Sequence, residues 1–450
     1  MEFLTGFEST YLPGHDVDVL RLTRHDERWH SDLHLVRDLG VRRLRYPIPW
    51  HRIEATRGRY DWGWLDEILA GMRAIGLMPI ADLVHHTSYP RWLAEGFLDP
   101  AFGSAYTAFC AAFAARYPWV REYTVFNEPL PTTLLCTEFG VWPPARRSQD
   151  AFYRMALAVA RAICTATAAI RAERPAARFI HVDTAEGHGA CDGESEEFAR
   201  HLNQRRFLFH DLILGRVGAD HPLWPRLRDH GGMTGDDLRW FRDHAARIDV
   251  LGLDYYAHCE HQFHRHGSIC PSGAPQGFAA LARQYHERYG LPLMLTETNI
   301  RGYVSDRITW LKYMVEECEA LVAGGVPFEG FCWFPCIDST DWDSLLRRSD
   351  GHIDPVGLYV LEEGSLRRQD SELPQLYRGL ACGERTAADL PAYRFLTPVS
   401  AQLAGWQPRL RDWPWQRPAL ATVPRWAWPE ALGGAEYAYA GRVLPGGAIG

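Results

Sequence analysis

The sequence predicts an α/β fold of the (β/α)8 or TIM barrel type, and three observations support this prediction. Short runs rich in β-branched and aromatic residues recur eight times along the chain. Amphipathic stretches with apolar residues at helical spacing separate these runs. Glycines close several of the stretches just before the next run, where a left-handed cap residue is favoured. Repeated strand and helix units pair in parallel, and eight of them close a barrel.

The predicted elements follow one another in the order that a barrel requires. The strands span residues 3 to 8, 41 to 49, 77 to 85, 122 to 127, 178 to 183, 247 to 256, 291 to 297 and 328 to 334. The helices recognised between them span residues 64 to 75, 105 to 116, 151 to 174, 278 to 289 and 308 to 322. Gly40, Gly76 and Gly290 precede three of the strands. The segment from 187 to 243 is longer than one crossover needs, so we expect an inserted loop or extra helices that shape a pocket.

The composition of the chain changes after about residue 380, which sets the predicted domain boundary. Residues 1 to 380 form the barrel in this prediction. Residues 381 to 450 are rich in proline and tryptophan and have no clear periodicity. Because so many aromatic residues argue against a disordered tail, we expect an irregular C-terminal extension. It would pack on the barrel or on a neighbouring subunit, and in the second case the protein is a homo-oligomer.

Composition and charge exclude some classes of partner. A formal net charge of −8 over 450 residues gives no basic face for a nucleic acid. The 17 tryptophans exceed what packing normally requires, and surplus tryptophan often stacks on sugars, so we expect a small carbohydrate or glycoside as substrate. The amino terminus has no charged n-region or long apolar segment, and the ten cysteines lie at irregular spacings in apolar segments. We therefore expect a cytoplasmic protein without a membrane anchor and without disulfides.

Two of the predicted strands end abruptly at a glutamate. The fourth runs into Asn127-Glu128-Pro129, and the seventh runs into Thr296-Glu297-Thr298-Asn299. A carboxylate at the end of a barrel strand faces the mouth of the barrel, where loops and ligands meet. Two acids placed in this way suggest a general acid and a nucleophile.

These motifs resemble those of glycoside hydrolase family 1 and its wider clan of retaining (β/α)8 glycosidases. The family's Asn-Glu-Pro at the fourth strand matches residues 127 to 129. Its Thr-Glu-Asn-Gly at the seventh strand is similar to residues 296 to 299, with one residue changed and the glycine absent. The resemblance implies that Glu128 is the acid/base, that Glu297 is the nucleophile and that no cofactor is needed. A retaining mechanism requires their carboxyl groups to lie about 5 to 5.5 Å apart.

Two further strand ends carry catalytic candidates. Arg45 begins a segment that looks like the family's Arg-Phe-Ser-Ile-Ser-Trp, and its charge is the expected means of keeping Glu297 ionised. Strand alternation places Asp254 and Tyr256 on one face of the sixth strand. The resemblance implies that the Tyr256 hydroxyl touches the nucleophile. The related enzymes carry asparagine where this chain has Asp254, which adds negative charge near Glu297, so we expect the pKa of Asp254 or of Glu297 to be raised.

The resemblance also implies a glycone pocket built from several strand ends. Its expected substrate-binding residues are Glu8, His85, His86, Asn127, Asp254, Trp333, Asp341 and Trp342. We expect Trp333 to form the platform beneath the sugar ring. His86 stands where a tryptophan is usual, and Asp341 is one carbon shorter than the family's glutamate and displaced by one residue. The identity of the sugar therefore does not follow from the resemblance.

Purely structural roles compete with these interpretations. Arg45 could be an ion-pair partner at the barrel floor, and His85 a core histidine bonded to the backbone. Glu8 and Asp341 could be ordinary loop acids, and the two tryptophans of the pocket could be core aromatics. The joint order of the candidates along the chain favours the functional interpretation.

A separate histidine-rich segment follows the sixth strand. It contains His258, Cys259, His261, His264, His266 and Cys270. The histidine spacing of three, three and two matches no structural zinc pattern, and the related glycosidases need no metal. We therefore expect no metal site in this segment.

Taken together, these features predict a retaining, exo-acting β-glycosidase similar to β-glucosidases and β-galactosidases. Two alternatives stay open. A transglycosylase would use the same glycosyl-enzyme intermediate, with an acceptor sugar or alcohol in place of water. A sugar-binding barrel that has lost catalysis would account for Asp254, His86 and the altered motif after Glu297.

Overall fold

Eight parallel strands close into a barrel in this protein. The computed structural model describes residues 1–15, 17–263, 269–272, 275–397, 438–439 and 442–443. The barrel strands are β1 Glu2–Gly6, β2 Arg43–Pro47, β3 Met78–Asp82, β4 Glu122–Thr124, β5 Arg178–Thr184, β6 Val250–Asp254, β7 Leu293–Glu297 and β8 Phe328–Trp333. Each strand pairs with its neighbours along the chain, and β8 closes the ring against β1. The predicted fold class is confirmed.

All eight predicted strands exist, but several end earlier than their apolar runs suggest. β1, β3 and β4 end at Gly6, Asp82 and Thr124, whereas the runs continue to residues 8, 85 and 127. The residues beyond these ends leave the regular ladder, and only isolated bridges join His85 and Val182 to Asn127. Apolar residues beyond these ends, such as Phe7, Leu83 and Phe126, stay buried in the core, so an apolar run does not by itself mark where strand pairing ends.

Helices surround the barrel. They are α1 His25–Asp38, α2 Gly63–Ala74, α3 Phe102–Arg116, α4 Pro129–Thr137, α5 Gln149–Glu173, α6 Glu196–Arg205, α7 Leu208–Ile213, α8 Trp224–Asp229, α9 Gly235–Asp243, α10 Phe278–Tyr289, α11 Val304–Ala323 and α12 Glu372–Ala381. Single turns of helix occur at Val19–Leu22, Trp50–Ile53, Gly96–Leu98, Gly193–Ser195, Trp342–Ser344 and Ala387–Asp389. The five predicted helices correspond to α2, α3, α5, α10 and α11.

Apolar side chains fill the inside of the barrel beneath its mouth. They are Leu4, Ile80, Ile180, Val182, Val250, Met294, Cys332 and Phe334. Burying each large one stabilises the fold by about 1.5–3 kcal/mol. Gly252 on β6 has no room for a side chain, since a Cβ there would lie 2.7 Å from Cγ2 of Thr296 and 2.8 Å from Cγ2 of Val182. This close contact packs β5, β6 and β7 tightly under the site.

The long segment between β5 and β6 folds into extra elements, as predicted. It contains the strand Gly187–Ala190 and the helices α6 to α9. The strand pairs with Glu260–Phe263, and Ile269–Pro271 completes this small sheet. Two-stranded pairs occur elsewhere, joining Tyr11–Leu12 to Val17–Asp18, Ser339–Thr340 to Ile353–Asp354, Val360–Leu361 to Arg368–Gln369 and Ala438–Tyr439 to Arg442–Val443.

Helix α5 is long and apolar enough to cross a membrane by length and composition alone. In the structure it packs against α3 and α7. Its apolar residues, among them Phe152, Val159 and Ile170, are buried in this contact. The apolar residues of α5 are therefore accounted for by packing between this helix and the rest of the protein.

The structure describes only part of the predicted C-terminal extension. Residues 387–397 lie along α11, where the Lys312 ammonium donates to the carbonyls of Ala387 at 2.7 Å and Leu390 at 3.0 Å. Residues 398–437, 440–441 and 444–450 lie outside the described residues. The prediction that this extension packs on the barrel or on a second subunit concerns mainly these residues and stays a prediction.

Candidate active site

The two glutamates lie at the carboxyl ends of barrel strands. Glu297 is the last residue of β7, whereas Glu128 follows β4 after a short extension. The backbone turns sharply at Glu128, whose φ of 46° and ψ of 62° lie in the left-handed region. Such a conformation costs about 1–2 kcal/mol for a non-glycine residue. The turn lets α4 begin at Pro129, a favoured first helical residue, and directs the Glu128 carboxyl into the barrel mouth.

Three carboxyl groups converge at this point. One carboxylate oxygen of each of Glu128, Asp254 and Glu297 lies within 4.8 Å of those of the other two. All three side chains are buried. The approach of Glu128 to Glu297 fits the separation of about 5 to 5.5 Å between carboxyl groups in retaining glycosidases. It is shorter than the roughly 6.5 to 9.5 Å of inverting ones.

Both oxygens of Glu297 accept hydrogen bonds. Nη1 of Arg45 donates to Oε1, and the hydroxyl of Tyr256 donates to Oε2 at 2.6 Å. Burial, followed by the charges of Glu297 and Glu128, raises the pKa of Tyr256 well above its ordinary value, so this phenol stays a donor. A guanidinium and a neutral phenol on the two oxygens stabilise the ionised form of Glu297. The predicted neighbourhood of these residues is thus present in the structure.

Glu128 and Asp254 have the opposite electrostatic environment. Burial, followed by the charge of Glu297, raises the pKa of Glu128 well above its usual range. The same two causes raise the pKa of Asp254. Oδ1 of Asp254 also accepts from the hydroxyl of Thr296 at 2.5 Å. These shifts favour the protonated forms of Glu128 and Asp254, while the Arg45 guanidinium is bound to Glu297.

A chain of alternating charges extends from Arg45 away from Glu297. Nη2 of Arg45 donates to Oδ2 of Asp82 at 3.1 Å and to Oδ1 of Asn127 at 2.5 Å. Nδ1 of His85 lies 2.8 Å from the same oxygen of Asp82. Nε2 of His85 lies 3.4 Å from Oε1 of Glu8. Glu8, His85, Asp82, Arg45 and Glu297 thus form a series of alternating charges, which we call the ion-pair chain.

Oppositely charged neighbours shift the pKa values of His85 and Glu8 in this ion-pair chain. Burial by itself would lower the pKa of His85, but the charges of Glu8 and Asp82 outweigh it and raise that pKa to about 10. Burial by itself would raise the pKa of Glu8, but the charge of His85 and the hydrogen bonds to His85 and Thr10 lower it to about 2. His85 is therefore a cation between two carboxylates at neutral pH.

His86 differs from its neighbour in both charge and position. Its Nε2 lies 3.5 Å from Oε2 of Glu128, and its Nδ1 lies 2.9 Å from Oγ1 of Thr132. Burial, followed by the charge of His85, lowers the pKa of His86 well below its ordinary value. A neutral imidazole therefore borders the Glu128 carboxyl.

An open cavity leads from solvent to this site. Its lining includes six of the predicted residues, namely Glu8, His86, Glu128, Tyr256, Glu297 and Trp342. Four others, Arg45, His85, Asn127 and Asp254, lie behind the wall and contact lining residues or one another. The structure therefore brings ten of the predicted site residues together.

Trp333 and Asp341 were predicted for the pocket but do not line it. Trp333 is fully buried, and its indole nitrogen donates to the carbonyl of Val356 at 3.0 Å. Phe334, one residue further along the chain, faces the cavity and stacks on His85 with ring centroids 5.6 Å apart. Strand alternation is the reason for the correction, because adjacent residues of β8 and its extension point to opposite sides.

Asp341 is likewise buried and has a structural role. Its Oδ2 accepts from the backbone N–H of Gly351 at 2.9 Å, and its Oδ1 accepts from that of His352 at 3.2 Å. The short side chain of Asp341 therefore binds the loop at Gly351 and His352, and the neighbouring Trp342 and Asp343 line the cavity instead.

The outer part of the cavity contains residues that the sequence did not single out for it. They include Glu186, His258, Asn299, Arg301, Asp343 and Asp354. The guanidinium of Arg301 contacts both oxygens of Asp354, at 2.5 and 2.8 Å. Arg301 and Asp354 come from loops after different strands, so no local motif marks them.

The histidine-rich segment after β6 borders the cavity at His258. His258 stacks on Tyr256 with ring centroids 5.3 Å apart and nearly parallel planes. Nδ1 of His261 lies 3.1 Å from the carbonyl of His258, and its ring packs on His188. His264, His266 and the side chain of Cys270 lie outside the described residues. Adjacency to Tyr256 was the available signal for His258.

Comparison with known proteins agrees with this geometry. The model of glycosyl hydrolase family 1 matches residues 23–272. β-Glucosidase A of Thermotoga maritima is 22% identical over 381 residues, which cover 76% of this chain and 83% of that protein. A chloroplastic galactolipid galactosyltransferase of Arabidopsis thaliana is 22% identical over 380 residues, 74% of this chain and 53% of that protein. The solved family 1 β-glucosidase of T. maritima has the same fold, with a TM-score of 0.69 at 18% identity over 80% of this chain and 87% of that one. The chain therefore belongs to glycosyl hydrolase family 1.

Proposed function

We propose that this protein is a retaining, exo-acting β-glycosidase that hydrolyses its substrate by double displacement. The observation that carries the proposal is the pairing of Glu128 and Glu297 within 4.8 Å at the base of one cavity. The electrostatics support different roles for the two glutamates. The surroundings of Glu128 favour its protonated form, as a general acid requires, while Arg45 and Tyr256 favour an ionised Glu297, as a nucleophile requires.

The reaction then proceeds in two balanced steps. In the first, the carboxyl of Glu128 protonates the glycosidic oxygen while Glu297 attacks the anomeric carbon, which breaks the bond to the aglycone and forms a glycosyl ester. In the second, Glu128, now a carboxylate, removes a proton from water as that water attacks the anomeric carbon. The sugar leaves and both carboxyl groups return to their starting states. Two inversions at carbon give net retention.

Several other residues have roles in this proposal. Tyr256 and Arg45 hold the nucleophile in place and compensate its charge in the ground state. Glu8, His86, Trp342 and Phe334 surround the terminal sugar, with the ring of Phe334 as its apolar platform. Ionised Glu8 can only accept hydrogen bonds from sugar hydroxyls, and a neutral imidazole stands at His86. These groups define the sugar specificity.

A panel of nitrophenyl glycosides that differ in sugar and anomer tests the proposal. We expect turnover of at least one β-glycoside, and NMR of the first product should show the β-anomer before mutarotation. The α-anomer as first product would contradict the double displacement. Binding without turnover of every β-glycoside would instead support a barrel that has lost catalysis.

A second candidate function is transglycosylation, which the similarity to the Arabidopsis galactosyltransferase favours. An acceptor hydroxyl would replace water in the second step, and Glu128 would activate it in the same way. Adding acceptor sugars or alcohols and comparing released nitrophenol with released free sugar separates the two functions. Equal amounts indicate hydrolysis, and an excess of nitrophenol indicates transfer.

A further inference from the structure

A second group of potential ligands lies on the outer side of β5, away from the cavity. One donor atom of each of His181, Asp183 and His210 lies within 4.8 Å of those of the other two. His181 and Asp183 are alternate residues of β5, so they share its outer face, and His210 comes from α7. All three are buried, and none of them lines the cavity of the candidate active site.

Four buried polar atoms of this group have no hydrogen-bond partner among the described residues. These atoms are Nε2 of His181, Oδ2 of Asp183 and both ring nitrogens of His210. Burying one such atom without a partner costs about 1–3 kcal/mol, so four of them in one place are unfavourable unless something binds there. The imidazole rings meet edge to face with centroids 4.8 Å apart, which brings their nitrogens close without bonding them to each other.

We infer that His181, Asp183 and His210 bind a divalent transition metal ion of the zinc class. Neutral imidazole nitrogens and one carboxylate oxygen are ligands that zinc favours. Bonds of about 2.0–2.1 Å in a tetrahedral site hold the ligand atoms roughly 3.3 Å apart, so small side-chain rotations close the group around an ion. A buried ion would also compensate the charge of Asp183, whose side chain contacts no arginine or lysine in the part of the chain described.

The surroundings indicate a structural role for this ion. Oδ1 of Asp183 accepts from the backbone N–H of Leu130 at 3.3 Å and from that of Thr184 at 3.0 Å. Leu130 lies in the first turn of α4, two residues after Glu128. An ion bound by Asp183 would therefore join β5 and α7 to the segment that positions the Glu128 carboxyl, without contacting the substrate.

Metal content of the full-length, untagged protein tests this inference directly. After dialysis against buffer with Zn²⁺ and removal of the excess, elemental analysis should find close to one equivalent per chain. Adding Co²⁺ alone to chelator-treated protein should produce the visible absorption of a protein-bound cobalt ion. Chelator treatment should lower Tm, and Zn²⁺ should restore it. Metal-free wild-type protein with an unchanged Tm would overturn the inference, and would mean that a water molecule or nothing occupies the group.

Three variants identify the ligands. His181→Ala and His210→Ala should each lose the bound metal, whereas the exposed His244→Ala should retain it as the matched control. His188→Ala removes a histidine near the cavity and should also retain it. Retention of the ion in both His181→Ala and His210→Ala, or its loss in His188→Ala, would place the metal elsewhere and overturn the assignment. If the two ligand variants fail to fold, the wild-type measurement still decides.

Discussion

The Tyr256 hydroxyl lies 2.6 Å from Oε2 of Glu297 and leaves the other oxygen of that carboxylate to Arg45. A carboxylate held in this way at both oxygens is fixed in orientation and kept ionised. When Glu297 forms an ester with a sugar, its charge disappears and the contact with Arg45 weakens. The contacts therefore stabilise the free nucleophile, and their return favours the second step, in which the ester is hydrolysed.

Removing the nucleophile gives the first prediction. Glu297→Ala should lower kcat on an activated aryl β-glycoside by roughly 10⁴-fold or more, because no other group can bond to the anomeric carbon. Added azide should restore part of the activity by occupying the vacated space. Its attack from the nucleophile's side should yield the α-glycosyl azide, identified by NMR. Activity close to that of the wild type in this variant would exclude the proposed role.

Removing the acid/base group gives a different pattern. Glu128→Ala should lower kcat/KM by about 10²- to 10⁴-fold for substrates with poor leaving groups and much less for dinitrophenyl glycosides, which depart without protonation. Azide should now intercept the glycosyl ester from the other face and yield the β-glycosyl azide. The same loss for both classes of leaving group would argue against general acid catalysis by Glu128.

The extra carboxyl group at Asp254 predicts a shift in pH dependence. The surroundings favour a protonated Asp254 near neutral pH, but once Asp254 ionises on the alkaline side its charge raises the pKa of Glu128 further. Replacing Asp254 should therefore let Glu128 lose its proton at lower pH. We expect Asp254→Asn to move the basic limb of the kcat/KM profile toward acid for a substrate with a poor leaving group. Asp343→Asn, which removes a cavity acid outside the three-carboxyl group, should move it less. A basic limb shifted toward alkali in Asp254→Asn would contradict this electrostatic account.

His85 should contribute strongly to stability over a defined pH range. Its pKa rises from an ordinary 6.5 to about 10 in the folded chain, so its contribution is fully present below about 6.5 and is lost as pH rises through 10. His85→Gln should lower the free energy of unfolding by about 3 kcal/mol near pH 6, measured by denaturant titration, because it leaves two buried carboxylates without their shared cation. This difference should shrink toward pH 10. His244→Gln, on the surface, should change the free energy of unfolding by less than about 0.5 kcal/mol.

The position of the aromatic platform can be tested by comparing neighbours. Phe334→Leu keeps an apolar side chain but removes the ring face, so KM for the best aryl glycoside should rise roughly 10-fold. Trp333→Phe should leave KM unchanged and lower the free energy of unfolding by roughly 1–3 kcal/mol through the lost indole hydrogen bond and packing. A higher KM in Trp333→Phe together with an unchanged KM in Phe334→Leu would instead identify Trp333 as the platform.

The sequence was sufficient for the barrel and for the centre of the site. Glu128 and Glu297 each stand in a short local motif, and the order of the other candidates along the chain made the two motifs specific together. The positions of Phe334 and Asp341 were not predictable in the same way. Which of two adjacent residues faces the cavity depends on how the extension of β8 turns, and the short Asp341 side chain bonds to a loop ten residues further along the chain.

Contacts between distant loops could also not be predicted from the sequence. Arg301 and Asp354 meet because the loops after β7 and β8 contact each other, and neither residue stands in a recognisable pattern. The outer group of His181, Asp183 and His210 was missed for a related reason. Its spacing of two residues followed by a long gap resembles no ligand motif, and the group forms only when α7 packs on β5.

The acids along the cavity wall bear on the kind of glycoside that can enter. Glu8, Glu186, Asp343 and Asp354 line it, and Arg301, the one arginine or lysine that the described part of the chain places there, is bound to Asp354. The other acids also have partners, since Asp343 is bound to Arg348, Glu8 lies beside His85 and Glu186 contacts His188. A uronic acid, sulfated sugar or phosphorylated sugar would therefore meet carboxylates and gain no ion pair of its own from this lining. We therefore expect the protein to prefer neutral or amino sugars over anionic glycosides.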